Sequence, residues 1–374
     1  MITIDVSAGV NVSAGLGRYT RSLVNEMLPM MDTTPTLFYN HIKGRSQFPR
    51  EWETLPTKHV NWGYKPWRMA VLMGQHMRLP FNRLVPKTTV FHATEHLLMP
   101  LGNTKTVMTV HDLIFKLFPE HHKRLNYWYL NHAMPLFVSR ADHVIAISEA
   151  TKRDLIQYYN TPTEKITVIY EAAAPHFKPQ SPETISQVKK QYNLPEQYIV
   201  VVGTIEPRKN YSRLLEAIHH LKRDFPDVGL VVVGSKGWLY EPFLEKIRTL
   251  NAEPWVHFPG FIPDEDLPAI YAGATLMAMP SIYEGFGLPI LEAMQCGTPV
   301  VSSNAASLPE LGGNAALYFS PTNIDEMVQQ IKNVIEDAQL QDIMRQKGYV
   351  QAQRFSWKQA AIETLSIYKM LQKD

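Results

Sequence analysis

Two acidic residues, Glu284 and Glu292, bracket the turn Gly285-Phe286-Gly287-Leu288-Pro289 in the last third of the chain. The glycines let the backbone pass close to a ligand without a Cβ in the way. Pro289 suits the first turn of a helix, where its missing N–H would be unpaired in any case. Ala274 to Met279, before the turn, reads as a buried strand, and Ile290, Leu291, Ala293 and Met294 after it read as one side of a helix. N–H groups at that helix start, around Phe286–Leu288, would face an anion. A ligand that is anionic in its middle and rich in hydroxyls at both ends suits such a site, and a sugar nucleotide is one. A plain strand–turn–helix explains the glycines and the proline but not both glutamates.

Three other places carry candidate chemistry. Arg208 and Lys209 follow the apolar run Tyr198–Val202 and Gly203, and read as the start of a helix after a parallel strand. There the helix dipole and two cations act together on an anion. Arginine grips phosphate oxygens with paired hydrogen bonds and lysine supplies a compact charge. A solvated basic surface is the plain alternative. His111 and Asp112 close the apolar run Thr106–Val110, at the carboxyl end of a strand, where open α/β sheets hold ligands. The alternative is a satisfied loop histidine, and no metal is assigned to Asp112. Gly15 and Gly17 stand in a small-residue loop, Ser7–Tyr19, that leads into a helix from about Arg18. A strand-to-helix loop with such glycines approaches phosphates in Rossmann-like folds, although a simple turn explains them equally well. The chain lacks Gly-x-Gly-x-x-Gly with an acid about 20 residues on, which disfavours a nicotinamide or flavin enzyme.

With seven residues between them, Glu284 and Glu292 resemble the paired-glutamate motif of the retaining glycosyltransferases of family 4, also called glycosyl transferases group 1. The resemblance extends over nearly the whole chain. It implies the α/β GT-B architecture, two facing Rossmann-like domains with parallel sheets and a cleft between them. It further implies that Arg208 and Lys209 bind the donor diphosphate, that the glycine loop closes over it, and that His111 lies near the transferred sugar. Phe261, in the turn Phe261-Ile262-Pro263, would give its backbone to the base edge. Gly-Thr-Ile-Glu-Pro-Arg-Lys-Asn and His-Asp-Leu-Ile-Phe resemble the mannosyltransferase versions of these motifs, so GDP-mannose leads among donors and UDP-glucose follows.

These residues need a frame. At 374 residues the chain suggests two domains, and 45% hydrophobic with 19% charged residues is a globular composition. The expected division is 1–180 for an acceptor-binding domain and 181–355 for a nucleotide-sugar-binding domain. In the family, a helix at 356–374 crosses back to the first. The single cysteine excludes an intrachain disulfide and fits a reducing compartment. The N-terminus enters a strand-like run rather than a leader, and no apolar segment reaches the roughly 20 residues of a membrane span. A cytoplasmic location is therefore expected. Residues 1–180 hold 20 Lys+Arg against 13 Asp+Glu, and the remainder 17 against 22. The basic first part suits either peripheral contact with the anionic inner face of a membrane, an anionic acceptor, or a merely solvated face. No nucleic-acid module is present.

The expected reaction is retaining hexosyl transfer from a GDP- or UDP-hexose to a hydroxyl of a glycan or lipid-linked acceptor. Fixed cations would stabilise the leaving diphosphate, so no metal or other cofactor is required. His111, Glu284, Arg208 and Lys209 are the expected catalytic residues. Donor binding would fall to Gly15, Gly17, Gly203, Arg208, Lys209, Phe261, Glu284, Gly285, Phe286, Gly287, Leu288 and Glu292. Two other readings stay open: a sugar-nucleotide epimerase or hydrolase on the same fold, and a sugar-nucleotide binder without catalysis.

Overall fold

The computed structural model describes residues 1–12, 15–260 and 262–373. Its contacts divide the chain into two compact units. The first comprises Met1–Leu117, Arg124–Glu171 and the segment from Ser356 onward; the second comprises Phe118–Lys123 and Ala172–Phe355. The division falls after Glu171, ahead of the expected boundary at residue 180.

The first unit is built on seven strands. They are β1 (Ile2–Asp5), β2 (Thr36–Asn40), β3 (Thr57–Val60), β4 (Val90–Ala93), β5 (Lys105–Val110), β6 (His143–Ala146) and β7 (Ile166–Val168). Every pairing is parallel, in the order β3-β2-β1-β4-β5-β6-β7. The direction of build-up therefore reverses between β1 and β4, whose last paired residues are Asp5 and Ala93. Strands β1, β4 and β6 are buried along their whole length, so they read as continuous rather than alternating runs.

The helices of this unit are α1 (Ser7–Asn11), α2 (Gly15–Met27), α3 (Tyr64–Met77), α4 (Ile114–Leu117), α5 (Arg124–Arg140), α6 (Glu149–Tyr159) and the last in the chain, α15 (Trp357–Leu371). Tyr19, Leu23, Val24 and Met27 make the buried face of α2, where each large apolar side chain contributes about 1.5–3 kcal/mol. Helix α15 packs on α2 and brings Trp357 to 5.9 Å from the Tyr19 ring. Ser148 caps α6, its Oγ accepting the Thr151 N–H at 3.1 Å.

The helix starts earlier than expected: Gly15 and Gly17 lie in the first turn of α2, which begins at Gly15 and not at about Arg18. Tertiary packing overrides the poor helix propensity of glycine. A Cβ at Gly17 would sit 1.7 Å from the Val12 carbonyl oxygen, so Gly17 permits a close backbone approach.

The second unit is built on β8 (Tyr198–Val202), β9 (Gly229–Val233), β10 (Val256–His257), β11 (Leu276–Met279), β12 (Val300–Ser303) and β13 (Ala316–Phe319). This sheet is also parallel throughout, in the order β10-β9-β8-β11-β12-β13, and its reversal lies between β8 and β11. Its helices are α7 (Pro182–Gln191), α8 (Tyr211–Leu221), α9 (Glu241–Thr249), α10 (Leu267–Ala272), α11 (Leu288–Gln295), α12 (Leu308–Gly312), α13 (Ile324–Glu336) and α14 (Ala338–Ala352). The apolar faces of α8 and α13 share one core with β8, β9 and β11. Among the described residues, no helix is long and apolar enough to cross a membrane.

Arg208 and Lys209 were expected to open a helix. They occupy instead a short 3-10 turn, Pro207–Lys209, and Asn210 (φ 59°) separates them from α8. The left-handed Asn210 is fixed by its side-chain amide, which donates to the carbonyls of Pro280 and Pro321.

Candidate active site

The reversal point of the second sheet gathers four of the expected residues. Glu284 follows β11, and Arg208 and Lys209 follow β8, its neighbour in the sheet. Lys209 Nζ donates to Glu284 Oε1 at 2.7 Å, and Arg208 Nη1 donates to Glu284 Oε2 at 2.5 Å and to the Tyr283 carbonyl at 3.0 Å. Gly203 lies beneath them with φ +144°, and a Cβ there would stand 3.3 Å from Lys209 Nζ. Gly203 leaves room for the lysine head.

Glu284 and Lys209 are both buried. Burial alone would raise the Glu284 carboxyl. The charges of Arg208 and Lys209, with hydrogen bonds from Lys209 and Ser281, outweigh it and hold the pKa down to about 2. Glu284 is therefore a carboxylate throughout the working pH range.

Sequence reasoning passed over three supports of this cluster. Ser281 Oγ donates to Glu284 Oε1 at 2.6 Å. Glu206 takes the other end of the Arg208 guanidinium, which is thus clamped between two acids. Ser307 Oγ bonds the Glu284 carbonyl at 2.9 Å and also the Phe286 carbonyl, tying α12 to the turn. Ser281 and Glu206 sit inside the motifs themselves, three and two residues from their partners, and that spacing was the available signal. Ser307 had none.

The turn into α11 is shaped by Gly287, at φ +116°, where a Cβ would meet Leu308 Cδ2 at 2.7 Å. Leu288 opens the helix and Pro289 lies in its first turn, so the helix dipole points its positive end at the Gly285–Leu288 turn. Glu292 is one turn further on. It is buried and takes a different partner from Glu284, the Tyr271 hydroxyl at 2.8 Å. Phe261, expected to meet a base, lies outside the described residues.

His111 belongs to the first unit and closes β5. Its Nε2 donates to the Thr94 carbonyl at 2.9 Å, and its Nδ1 stands 3.4 Å from Glu171 Oε1. Both ring nitrogens thus face acceptors, the arrangement of an imidazolium. Burial works against that charge, but the hydrogen bond and charge of Glu171, the Thr94 carbonyl and the charge of Asp112 together raise the pKa above 6.5. Tyr19 sets its ring edge-on to the imidazole, with centroids 4.7 Å apart. Asp112 accepts the Ile114 N–H at 3.1 Å and so starts α4.

Replacing Glu171 by Gln removes the charge that holds His111 protonated. The expected result is a lower His111 pKa, measured by NMR titration of ring-labelled histidine. An unmoved titration would show that Glu171 does not set the charge of His111.

Two parallel-sheet, Rossmann-like units with charged clusters at their carboxyl edges define the class of protein. The chain matches the model of the glycosyl transferases group 1 over residues 183–351 and that of glycosyltransferase family 4 over residues 13–175. It is 31% identical over 373 residues to the O-antigen chain mannosyltransferase B of Escherichia coli, covering 96% of each chain. It is 32% identical over 268 residues to the serotype-specific mannosyltransferase WbdA of Escherichia coli, over 69% of this chain but only 32% of that longer protein. Among solved structures, the sucrose-phosphate synthase of Thermosynechococcus elongatus superposes with a TM-score of 0.79 at 19% identity, covering 99% of this chain and 98% of the other. The fold is that of the GT-B glycosyltransferases. The chain belongs to the glycosyl transferases group 1, family 4, and is a hexosyl-transferring enzyme.

Proposed function

We propose that the enzyme transfers mannose from GDP-mannose, with retention at the anomeric carbon, to a hydroxyl of a glycan or lipid-linked acceptor. UDP-glucose is the second donor. The observation that carries this reading is the Arg208–Lys209–Glu284 cluster at the carboxyl edge of β8 and β11, with Lys209 and Glu284 buried. The relatives named as mannosyltransferases support the choice of sugar.

The donor diphosphate competes with Glu284 for Lys209 and Arg208. Phosphate oxygens take the two cations and the positive end of α11, while Glu284, partly released, accepts hydrogen bonds from the hexose. Glu292 accepts from the ribose hydroxyls. As the glycosidic bond breaks, negative charge grows on the leaving diphosphate, where preorganised cations stabilise the transition state more than the ground state. No cofactor is needed in this scheme, since Arg208 and Lys209 neutralise the leaving group. Mass spectrometry of the protein with GDP-mannose, UDP-glucose and a glycan acceptor tests it. An acceptor heavier by one hexose, formed from GDP-mannose in preference, is expected. A free or isomerised sugar formed equally fast without acceptor would replace transfer by hydrolysis or epimerisation.

The acceptor reading extends to a membrane. Residues 54–94 contain no Asp or Glu but hold Lys58, Lys65, Arg68, Arg78, Arg83 and Lys87. In the same stretch Met69, Met73 and Met77 form an exposed stripe along α3, with Trp62 and Tyr64 exposed at its start. Basic charge beside exposed apolar side chains suits an anionic lipid surface. Sedimentation with phosphatidylglycerol vesicles is expected to carry the protein down at low salt and to weaken in Met73→Asp. Equal sedimentation of both proteins would rule this face out.

A further inference from the structure

We infer that two adjoining cavities of the first unit form a site for one anionic phospholipid, its phosphate held between Arg78 and Arg140 and an acyl chain laid in the groove beside α3. This rests on the membrane face proposed above and gives that face a specific ligand. The phosphate cavity is remote from His111. Thr104 and Thr106 place it at the amino end of β5, and His111 follows the other end of the same strand.

The phosphate cavity has a volume of about 400 Å³ and is lined by an arginine from each of two helices. Arg78 caps the end of α3 in the left-handed region (φ 56°), and Arg140 is the last residue of α5. Arg140 Nη1 donates to Gln75 Oε1 at 3.1 Å. The buried Gln75 is itself fixed, donating to the Leu98 carbonyl at 2.8 Å. Among the described residues, the exposed Arg78 makes no side-chain hydrogen bond, and neither arginine closes an ion pair. The acid of the lining, Asp142, is engaged by Thr106, whose N–H and hydroxyl reach Oδ2 at 2.8 and 2.9 Å.

An arginine at the end of a helix complements the helix dipole. The dipole does not explain why two of them line one cavity with no acid bonded to either. Desolvation and the charge of Arg78 lower the Arg140 pKa, and a bound anion relieves both effects. Phosphate suits the pair, because each guanidinium offers two parallel hydrogen bonds to its oxygens.

The walls select a lipid over a free phosphate. Leu98, Met99 and Leu101 line the phosphate cavity. Pro80 and Gly102 line it too, and also belong to a second cavity of about 710 Å³, so the two adjoin. The second lies between α3 and the 3-10 turn Asn82–Leu84. Trp62, Trp67, Ala70, Phe81 and Leu84 wall it, and Arg83 is its one charged residue. A soluble phosphate ester leaves this apolar surface in water, whereas an acyl chain covers it. The exposed Met69, Met73 and Met77 run along α3 as far as Arg78, which follows Met77 in the chain. A helix resting on a bilayer by that stripe brings Arg78 to the depth of the lipid phosphates.

The test is calorimetric titration of the full-length enzyme with monomeric lauroyl lysophosphatidylglycerol, below its micelle concentration. Glycerol 3-phosphate, the head without the chain, and dodecyl maltoside, a chain without the charge, are the comparisons. Saturable one-to-one binding of the lysolipid is expected, with both comparisons weaker by about tenfold or more. Arg78→Gln and Arg140→Gln should each weaken lysolipid binding about tenfold, the loss of one charge-assisted hydrogen bond. Trp62→Ala should weaken the lysolipid and leave glycerol 3-phosphate unchanged. Arg78 and Trp62 are exposed, so the ligand-free Tm of those variants should match wild type. Equal affinity for glycerol 3-phosphate or for dodecyl maltoside would overturn the lipid assignment, and unaltered lysolipid binding in both arginine variants would overturn the phosphate site. If wild type sediments with phosphatidylglycerol vesicles but binds no lysolipid, the site falls and the membrane face stands. If it does neither, both fall.

Discussion

Lys209→Ala is expected to lower kcat by about 10²–10³-fold at saturating donor, the scale of deleting one strong donor to a developing oxyanion. Lys209 is buried and has its ammonium 2.7 Å from Glu284. Gly203 is kept free of a side chain directly beneath it. A buried ammonium delivered to one place by such a frame acts on the leaving diphosphate without reorganisation as charge develops. The variant keeps Arg208 and Ser281 on Glu284, so the unit is expected to stay folded, as circular dichroism can check. Steady-state kinetics against GDP-mannose reads the effect. Wild-type turnover would remove Lys209 from the catalytic group.

Glu284→Ala is expected to cost stability as well as activity. The carboxylate sits between two cations, and its removal leaves the buried Lys209 ammonium without its carboxylate partner, while Arg208 keeps only Glu206. Breaking a buried ion pair on one side costs about 3–5 kcal/mol. The same residue sets an acid limb of stability. Its folded pKa is held near 2, against an ordinary value of 4.5, so the folded state binds this proton less readily than the unfolded chain. That stabilisation is fully present above pH 4.5 and is lost as the pH falls from there towards 2. Urea midpoints measured between pH 6 and 3 should therefore fall more steeply for wild type than for Glu284→Gln. Parallel pH profiles for the two proteins would mean that Glu284 is not held ionised by its partners.

The sequence showed best those parts whose signal is local. Tyr198–Val202 and Ala274–Met279 read as strands because a parallel sheet covered on both faces selects unbroken apolar runs, and the second of them forms at Leu276–Met279. Strand β3 escaped notice because it is an edge strand with Thr57, Lys58 and His59 exposed, which leaves no apolar pattern. The glycines of α2 misled for the opposite reason. Their low helix propensity suggested a loop, while the requirement at Gly17 is contact with the backbone at Val12.

The candidate site divides in the same way. Glu284, Arg208 and Lys209 lie in short motifs whose residue types betray an anion site, and the structure joins them through direct bonds. Glu171 carries no such motif. Its meaning comes from His111, which is distant in the chain and brought near only by the fold. Neither propensity nor periodicity records a partnership of that kind.

Calorimetric titration of GDP-mannose and UDP-glucose into wild type, Lys209→Ala and Glu292→Ala tests the nucleotide-sugar site most directly. Saturable one-to-one binding to wild type, tighter for GDP-mannose and weakened in both variants, is the expected result. Binding that is unaltered in both variants, or no binding of either nucleotide sugar to the wild type, would contradict the assignment of these residues to the donor.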